Sequence, residues 1–235
     1  MAAHGSIFLQ AMQMIFSGDA ELFEIIGLSL RVTLSAVVIS CIIGLPLGAI
    51  LAVTKFPGRR VLILTFNTLM GLPPVVAGLF VFFFVASGGP LGWLEILYTP
   101  AAMILAQTVL VTPIVIALSR QTVADLNEEY AELFLSLSLN RWQRVRALLW
   151  DARFSLLTVA LAGFGRASAE VGAVIIVGGN INHVTRTMTT SITLETSKGN
   201  LELALALGVV LLVLAVVVNG CVMAIRATAQ RSAYG

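Results

Sequence analysis

Arg166 and Glu170 are the two charged residues of an otherwise uncharged stretch, Phe154–Gly179. A charged side chain costs about 2.5–3.5 kcal/mol at the centre of a helix in hydrocarbon, so such residues pair or face a protein interior or a wet cavity. If the stretch is one helix, a spacing of four residues brings both side chains to one face. Two interpretations stay open: a structural ion pair that hides two charges, or a pair that lines or gates a polar passage.

Pro73 and Pro74 mark a second feature at membrane depth, inside another uncharged run, Val61–Leu94. Each proline removes a backbone donor and tends to break a helix. Irregular backbone is tolerated inside a membrane only where it is buried in protein or lines a water-filled cavity. We therefore group both prolines with Arg166 and Glu170 as candidates for a polar passage or its gate, with an ordinary helix kink as the alternative.

The elements that must position these residues are membrane-spanning helices. The chain is 58% hydrophobic and only 11% charged, with a mean hydropathy of +0.98. Because about 20 apolar residues cross a bilayer, we predict an all-α, polytopic membrane protein rather than a soluble one. The predicted spans are Phe23–Val53, Val61–Ala86, Thr99–Leu118, Phe154–Gly178 and Leu203–Ile225.

The distribution of basic residues orients these five spans. Lysine and arginine are concentrated in cytoplasmic loops, and here they fall on one side: Lys55, Arg59, Arg60, Arg120, Arg141, Arg144, Arg146, Arg153, Arg226 and Arg231. The other side has only Arg186 and Lys198 in its loops, together with Asp19, Glu21, Glu24, Glu95, Glu195 and Glu202. We predict an extracytoplasmic or interfacial segment 1–22, a membrane domain 23–225 and a cytoplasmic tail 226–235, so that the N-terminus is outside and the C-terminus inside.

Other kinds of chemistry leave no pattern in this sequence. The two cysteines follow no metal or redox spacing, so no metal site is predicted, and a net charge of +2 does not favour nucleic acid as a partner. A membrane-embedded enzyme would need a nucleophile–base or metal constellation. A secondary transporter would typically show internal repeats and an ion-coupling acid in discontinuous helices. Neither alternative finds support in these residues, although both stay open in principle.

The cytoplasmic segment 121–153 is more than a linker. Apolar residues recur at helical spacing from Leu126 to Leu137, which predicts an amphipathic helix. Asn140, with Gln143 three residues later, resembles a capping box at the start of a second, basic helix. Such a helix pair could rest on lipid headgroups, or it could dock into a cytosolic partner.

The segment Glu132–Ser138, followed by Asn140–Trp142, resembles the EAA loop of binding-protein-dependent ABC importer permeases. Leu133 and Phe134 replace two alanines of that motif, and Ser138 stands where glycine is usual. The membrane segments extend the resemblance to the molybdate/tungstate branch, and above all to tungstate permeases. They are Gly71–Gly78, Gly89–Gly92, Ala106–Leu118, Gly163–Gly172, Val177–Ile181, Thr185–Thr190 and Leu194–Asn200.

This resemblance implies a type I ABC importer fold and a translocation subunit that is not an enzyme. The family arrangement would be a homodimer in a prokaryotic inner membrane, on two cytosolic ATPase subunits, receiving tungstate or molybdate from an extracytoplasmic binding protein. ATP and Mg²⁺ would bind the ATPase, because this chain has no phosphate-binding loop and is expected to bind no cofactor. The implied coupling residues are Glu132, Ser138, Asn140, Arg141 and Trp142. The passage would involve Arg166, Glu170, Pro73 and Pro74, and the outer loop Asn180, Arg186, Thr187 and Thr190.

Overall fold

A computed structural model describes residues 20–234. All regular secondary structure in this range is helical, which confirms the all-α prediction. Most of the predicted N-terminal segment 1–22 lies outside the described residues, and its last three residues already belong to the first helix. The helices are α1 Ala20–Val53, α2 Arg59–Leu69, α3 Pro74–Val85, α4 Pro100–Glu129, α5 Ala131–Ser136, α6 Arg141–Asp151, α7 Arg153–Ser168, α8 Gly172–Gly178, α9 Met188–Lys198 and α10 Leu201–Tyr234.

Three of these helices, α1, α4 and α10, are long and apolar enough to cross a membrane. Two further pairs, α2 with α3 and α6 with α7, pass the same test if each is counted as one span bent at its break, giving up to five spans in the described chain. The break between α2 and α3 confirms the one predicted at Leu72–Pro73–Pro74. Pro74 is the first residue of α3, a position where proline costs no hydrogen bond.

The predicted continuous span Phe154–Gly178 is wrong. Helix α7 ends at Ser168, and α8 begins only at Gly172. Between them Glu170, whose side chain is buried, accepts a hydrogen bond at its Oε1 from the backbone N–H of Ala173 (3.1 Å). The first amides of a helix lack intrahelical partners, so this carboxylate caps α8 and stabilises its separate start.

The chain divides into two compact units, each assembled from interleaved segments. Of the described residues, the first unit contains 20–35, 73–107 and 168–219. Inside it α3 packs on α8 so closely that a Cβ at Gly78 would lie 2.6 Å from the Cα of Ala173. A second contact region of this unit joins Leu22 and Ile25 of α1 to Met188 and Leu207.

The second unit contains residues 36–72, 108–167 and 220–235. Here α1 approaches α4 at Gly48, where a Cβ would lie 2.7 Å from the carbonyl oxygen of Ile116. Helix α7 packs on α4 through Gly163, whose Cβ would lie 3.0 Å from Val111 Cγ1. This agrees with the close packing that small residues permit in membranes. Helices α1, α4, α5 and α6 contribute to a core of this unit formed by Ala49, Ala52, Val123, Phe134, Val145 and Leu148.

Candidate functional site

The helix pair α5–α6 is anchored by one aromatic side chain. Phe134 of α5 is buried against residues of α1, α4 and α6 in the second unit. The guanidinium of Arg144 lies 5.7 Å from the centre of the Phe134 ring, and its Nε donates to the carbonyl oxygen of Leu139 (3.0 Å). Tyr130 Oη donates to Asp151 Oδ2 (2.8 Å). These contacts fix α5 and α6 as a projection from the end of α4.

The predicted amphipathic helix Leu126–Leu137 is corrected in two ways. Helix α4 continues past its predicted end at Leu118 to Glu129, and the chain leaves helical geometry at Tyr130 before α5 begins. In addition, Leu133 and Leu137 do not join Phe134 in the core but are exposed. A pattern of apolar residues alone does not say which of them face a core and which face a partner.

The turn between α5 and α6 contains the predicted capping box. Gln143 donates its backbone N–H to Asn140 Oδ1, and Asn140 donates its own to Gln143 Oε1, both at 2.9 Å. This part of the prediction is confirmed. Ser138 has a φ of +50°, a left-handed conformation that glycine adopts without steric cost. The usual glycine of the EAA loop therefore has a physical reason at this position, and Ser138 adopts the same turn at some cost.

The exposed face of α5 and of the start of α6 is apolar, although it lies in the most polar part of the chain. Leu135 is 69% exposed and Trp142 is 71% exposed, with Leu133 and Leu137 beside them in sequence. Glu132, Ser138, Asn140 and Arg141 are also exposed. Exposed apolar clusters rimmed by polar groups mark interaction sites. The expected coupling residues are thus exposed in the same segment as Leu133, Leu135 and Leu137, which the resemblance to the EAA loop did not indicate as coupling residues.

Two of the expected passage residues, Arg166 and Glu170, do not share one helix as predicted. Arg166 lies half-buried in the last turn of α7, in the second unit, whereas Glu170 follows the end of that helix and belongs to the first unit. The i,i+4 geometry on one helix is therefore wrong. Glu170 has its own role as the cap of α8, and its backbone carbonyl oxygen accepts from Thr189 Oγ1 (2.8 Å). Pro73 is the N-cap residue of α3.

The expected outer loop is a packed element instead of an open loop. Thr187 caps α9, and its backbone N–H donates to Thr190 Oγ1 (3.0 Å), which in turn donates to Asn180 Oδ1 (2.9 Å). Both threonines are buried. Arg186 Nη1 lies 3.6 Å from Glu21 Oε1. The four residues named from the sequence therefore lie in one unit, where three of them form a hydrogen-bonded chain.

Two electrostatic contacts of the same unit were not foreseen. His183 Nδ1 lies 2.8 Å from Glu24 Oε2. At the end of α9, Glu195 Oε1 accepts from Lys198 Nζ and its Oε2 from Asn200 Nδ2, both at 2.9 Å. The hydrogen bond from Lys198, helped by Asn200 and by the charges of Lys198 and Arg186, lowers the pKa of Glu195 against the opposing effect of burial. No sequence motif signals this cluster, since its members meet only after α9 has folded.

Comparison with known proteins gives one consistent assignment. Residues 44–228 match the family model described as binding-protein-dependent transport system inner membrane component. A probable anion ABC transporter permease protein of Haloferax volcanii is 39% identical over 84% of this chain and 88% of its own length. The tungstate uptake system permease proteins TupB of Peptoclostridium acidaminophilum and Campylobacter jejuni are 34% and 36% identical, over 93% and 90% of this chain and 96% and 89% of their own.

Permeases of this kind are subunits that are not themselves catalytic, and the apolar helices agree with a multi-pass location. The match covers most of the chain, including the helix pair α5–α6 and the break before α8. The chain therefore belongs to the family of binding-protein-dependent transport system inner membrane components, as a multi-pass permease subunit of an ABC importer with the type I membrane fold.

Proposed function

We propose that this chain is the permease of an ATP-driven importer of a tetrahedral oxyanion, with tungstate as the first candidate and molybdate as the second. Two relatives aligned over nearly their whole length are named for tungstate uptake, and a third for an anion. Tungstate and molybdate share charge and shape, so most of the discrimination between them is assigned to the binding protein. The permease needs only a polar route for a divalent anion.

The observation that carries the proposal is the exposed apolar surface on α5 and the start of α6. ATP hydrolysis takes place on a separate ATPase subunit, which binds ATP and Mg²⁺, and this chain binds no cofactor. Glu132, Ser138, Asn140, Arg141 and Trp142 transmit the movement of that subunit. A partner can drive a conformational change only through different affinities for the two states. Closure of the ATPase pair must therefore change how it holds this surface.

The assembly that follows has two copies of the permease, two ATPase subunits and one extracytoplasmic binding protein. The division into units supports the orientation of the chain. All the basic residues counted for the cytoplasmic side fall in the second unit, and Arg186 and Lys198 fall in the first. Units defined by backbone proximity carry no information about charge, so this agreement is independent support for an N-terminus outside and a C-terminus inside.

Arg166 is the passage residue to which we give priority. An arginine on the membrane-spanning helix α7 has a cost that a role in function can offset. Its guanidinium can donate several hydrogen bonds to an oxyanion. Pro73 and Pro74, which separate α2 from α3, remain gate candidates, and the α9 segment with Asn180, Arg186, Thr187 and Thr190 belongs to the outer gate or docking region.

The test is reconstitution of the permease in liposomes with an ATPase and a binding protein encoded beside it. We expect ATP-dependent uptake of radiolabelled tungstate that excess molybdate inhibits more strongly than excess sulfate. Calorimetry on the binding protein then identifies the preferred anion. Uptake that follows a proton or sodium gradient without ATP would instead indicate a secondary transporter.

A further inference from the structure

Helices α4 and α7 expose no large apolar side chain, unlike the other helices that could cross a membrane. Among the described residues, α1 exposes Ile42, α3 exposes Phe83 and α10 exposes Val216, each by more than half of its side chain. Within Arg153–Ser168 no large apolar side chain is exposed. A face that contacts lipid would carry such side chains, because only they gain from hydrocarbon.

The exposed face of α7 consists of small and hydroxyl-bearing residues. Thr158, Ala162 and Gly165 are exposed, and Ser155 is half-buried. Their spacing of three and four residues places them along one side of the helix. The large apolar residues Leu156, Val159 and Phe164 are turned to the interior of the second unit. This arrangement is the reverse of the one expected for a helix in contact with lipid.

A groove of about 370 Å³ lies along this face, between α7 and the cytoplasmic end of α4. Its polar lining comes from both helices: Gln121 and Thr122 of α4, and Ser155 and Thr158 of α7. Both helix segments belong to the second unit. Hydroxyl and amide groups can exchange hydrogen bonds with water and with oxyanions, and the space holds several water molecules.

Arg166 continues the same face one turn beyond Ala162. From Ser155 to Arg166 the helix rises by about 16 Å, roughly half of the ~30 Å hydrocarbon thickness. A polar face of this length connects a guanidinium on the spanning helix to a groove at the cytoplasmic end. A tight contact with a second copy would account for the small residues. It would not account for the amide of Gln121 or for the open groove between the two helices.

We infer that the groove between α4 and α7 is the cytoplasmic half of the anion route, along which a hydrated tetrahedral oxyanion moves from Arg166 past Ala162 and Thr158. The inference rests on the proposed transport function and adds to it the wall of the route. Arg166 provides the positive charge, and the hydroxyls of Thr158, Ser155 and Thr122 replace part of the hydration shell.

The test uses the complete complex in inside-out vesicles, with Cys41 and Cys221 replaced by alanine. Single cysteines are placed at Thr158 and Ala162 in the groove, and at Val216 on an exposed apolar face as the matched control. The probe is methanethiosulfonate ethylsulfonate, a water-soluble anionic reagent added to the cytoplasmic side. We expect both groove cysteines to react at least ten-fold faster than Val216→Cys. We also expect their modification to lower ATP-driven tungstate transport out of the vesicle lumen, which is uptake in the native sense, at least ten-fold while ATP hydrolysis continues.

Each other outcome is decisive. Groove cysteines that react no faster than Val216→Cys overturn the route, since the face then lies against lipid or protein. Cysteines that react only after detergent has separated the two copies identify a contact between copies, which also overturns it. Uptake that survives full modification overturns the proposed route but leaves the proposed transport function intact. If the unmodified complex shows no ATP-dependent uptake of any oxyanion, the proposed function itself fails.

Discussion

At the residue scale, Ser138 shows how a single backbone angle explains a sequence preference. Its φ of +50° costs an L-residue about 1–2 kcal/mol, and glycine avoids this cost while losing more chain entropy on folding. The residue lies in the turn that aims the apolar surface of α5 relative to the capped start of α6. A small gain in local stability is therefore available at a functional position.

Replacing Ser138 by glycine should stabilise this turn by about 0.5–1 kcal/mol. The measurement is the melting temperature of the purified permease together with the rate at which a protease cuts between α5 and α6. Ser136→Gly is the matched control, because Ser136 is the last helical residue of α5 and glycine there should destabilise the helix. A turn that glycine weakens as much as it weakens the helix would contradict the left-handed conformation.

Glu170 gives a prediction about its cap. Glu170→Gln keeps an acceptor for the backbone N–H of Ala173 and should leave the melting temperature close to that of the wild type. Glu170→Ala removes the acceptor, and loss of a cap costs about 0.5–2 kcal/mol. Equal losses in the two variants would mean that the charge of Glu170, rather than its acceptor oxygen, stabilises the protein.

The carboxylate of Glu195 makes the stability of helix α9 depend on pH in the acid range. Lys198 and its neighbours hold the pKa of Glu195 below its ordinary value of 4.5, so the folded state favours the charged carboxylate. The resulting stability is complete above pH 4.5 and is lost as the pH falls further, through the folded-state pKa. Glu195→Gln should lower the melting temperature at neutral pH and reduce its fall under acid. Glu95→Gln, at an exposed site, is the control and should change neither value.

At the scale of elements, hydropathy was sufficient to predict the helices but not where they break. The break at Pro73–Pro74 was readable because proline cannot donate a backbone hydrogen bond. The break at residues 169–171 contains Ala169, Glu170 and Val171, and no residue there prevents a helix. Its cause is a buried carboxylate that caps the next helix, an interaction that requires tertiary structure. The packed threonines of α9 escaped prediction for the same reason.

The helix pair α5–α6 should transmit force through its exposed apolar face. We expect Glu132→Lys, or Leu135→Asp, to lower binding-protein-stimulated ATP hydrolysis and anion uptake at least ten-fold, with the protein still inserted and dimeric. Truncating a hot-spot residue near the centre of an interface costs about 2 kcal/mol or more, which corresponds to a factor of about 30. Asp125→Lys is the matched charge reversal, on an exposed position of α4, and should retain most activity. Equal effects at both sites would remove the special role of this surface.

At the scale of the whole molecule, the side of each loop stays a prediction, whereas the number of spans, up to five in the described chain, followed from composition alone. The accessible residues of the outer region did not, since Thr187 is buried although it lies in a polar part of the sequence. Asn182, by contrast, is exposed in the turn after α8. It is therefore the better site for probing topology from outside.

In a cysteine-free background, Asn182→Cys in intact cells should react with a membrane-impermeant maleimide. Gln143→Cys, exposed on α6, should react only after the membrane is opened. The opposite pattern would place the N-terminus inside and reverse the orientation proposed from the basic residues.

The interleaving of the two compact units has a consequence for how the protein is made. Helices α1, α4 and α10 each contribute one part to each unit, and the first unit includes residues up to 219. Domains usually fold one after another as the ribosome releases them, but here neither unit can be completed before the last helix has been synthesised. Until then α1 and α4 lie in the bilayer with packing surfaces that have not yet found their partners. In a chain truncated before α10, neither unit should therefore be stable by itself. Membrane quality control should degrade the entire truncated chain.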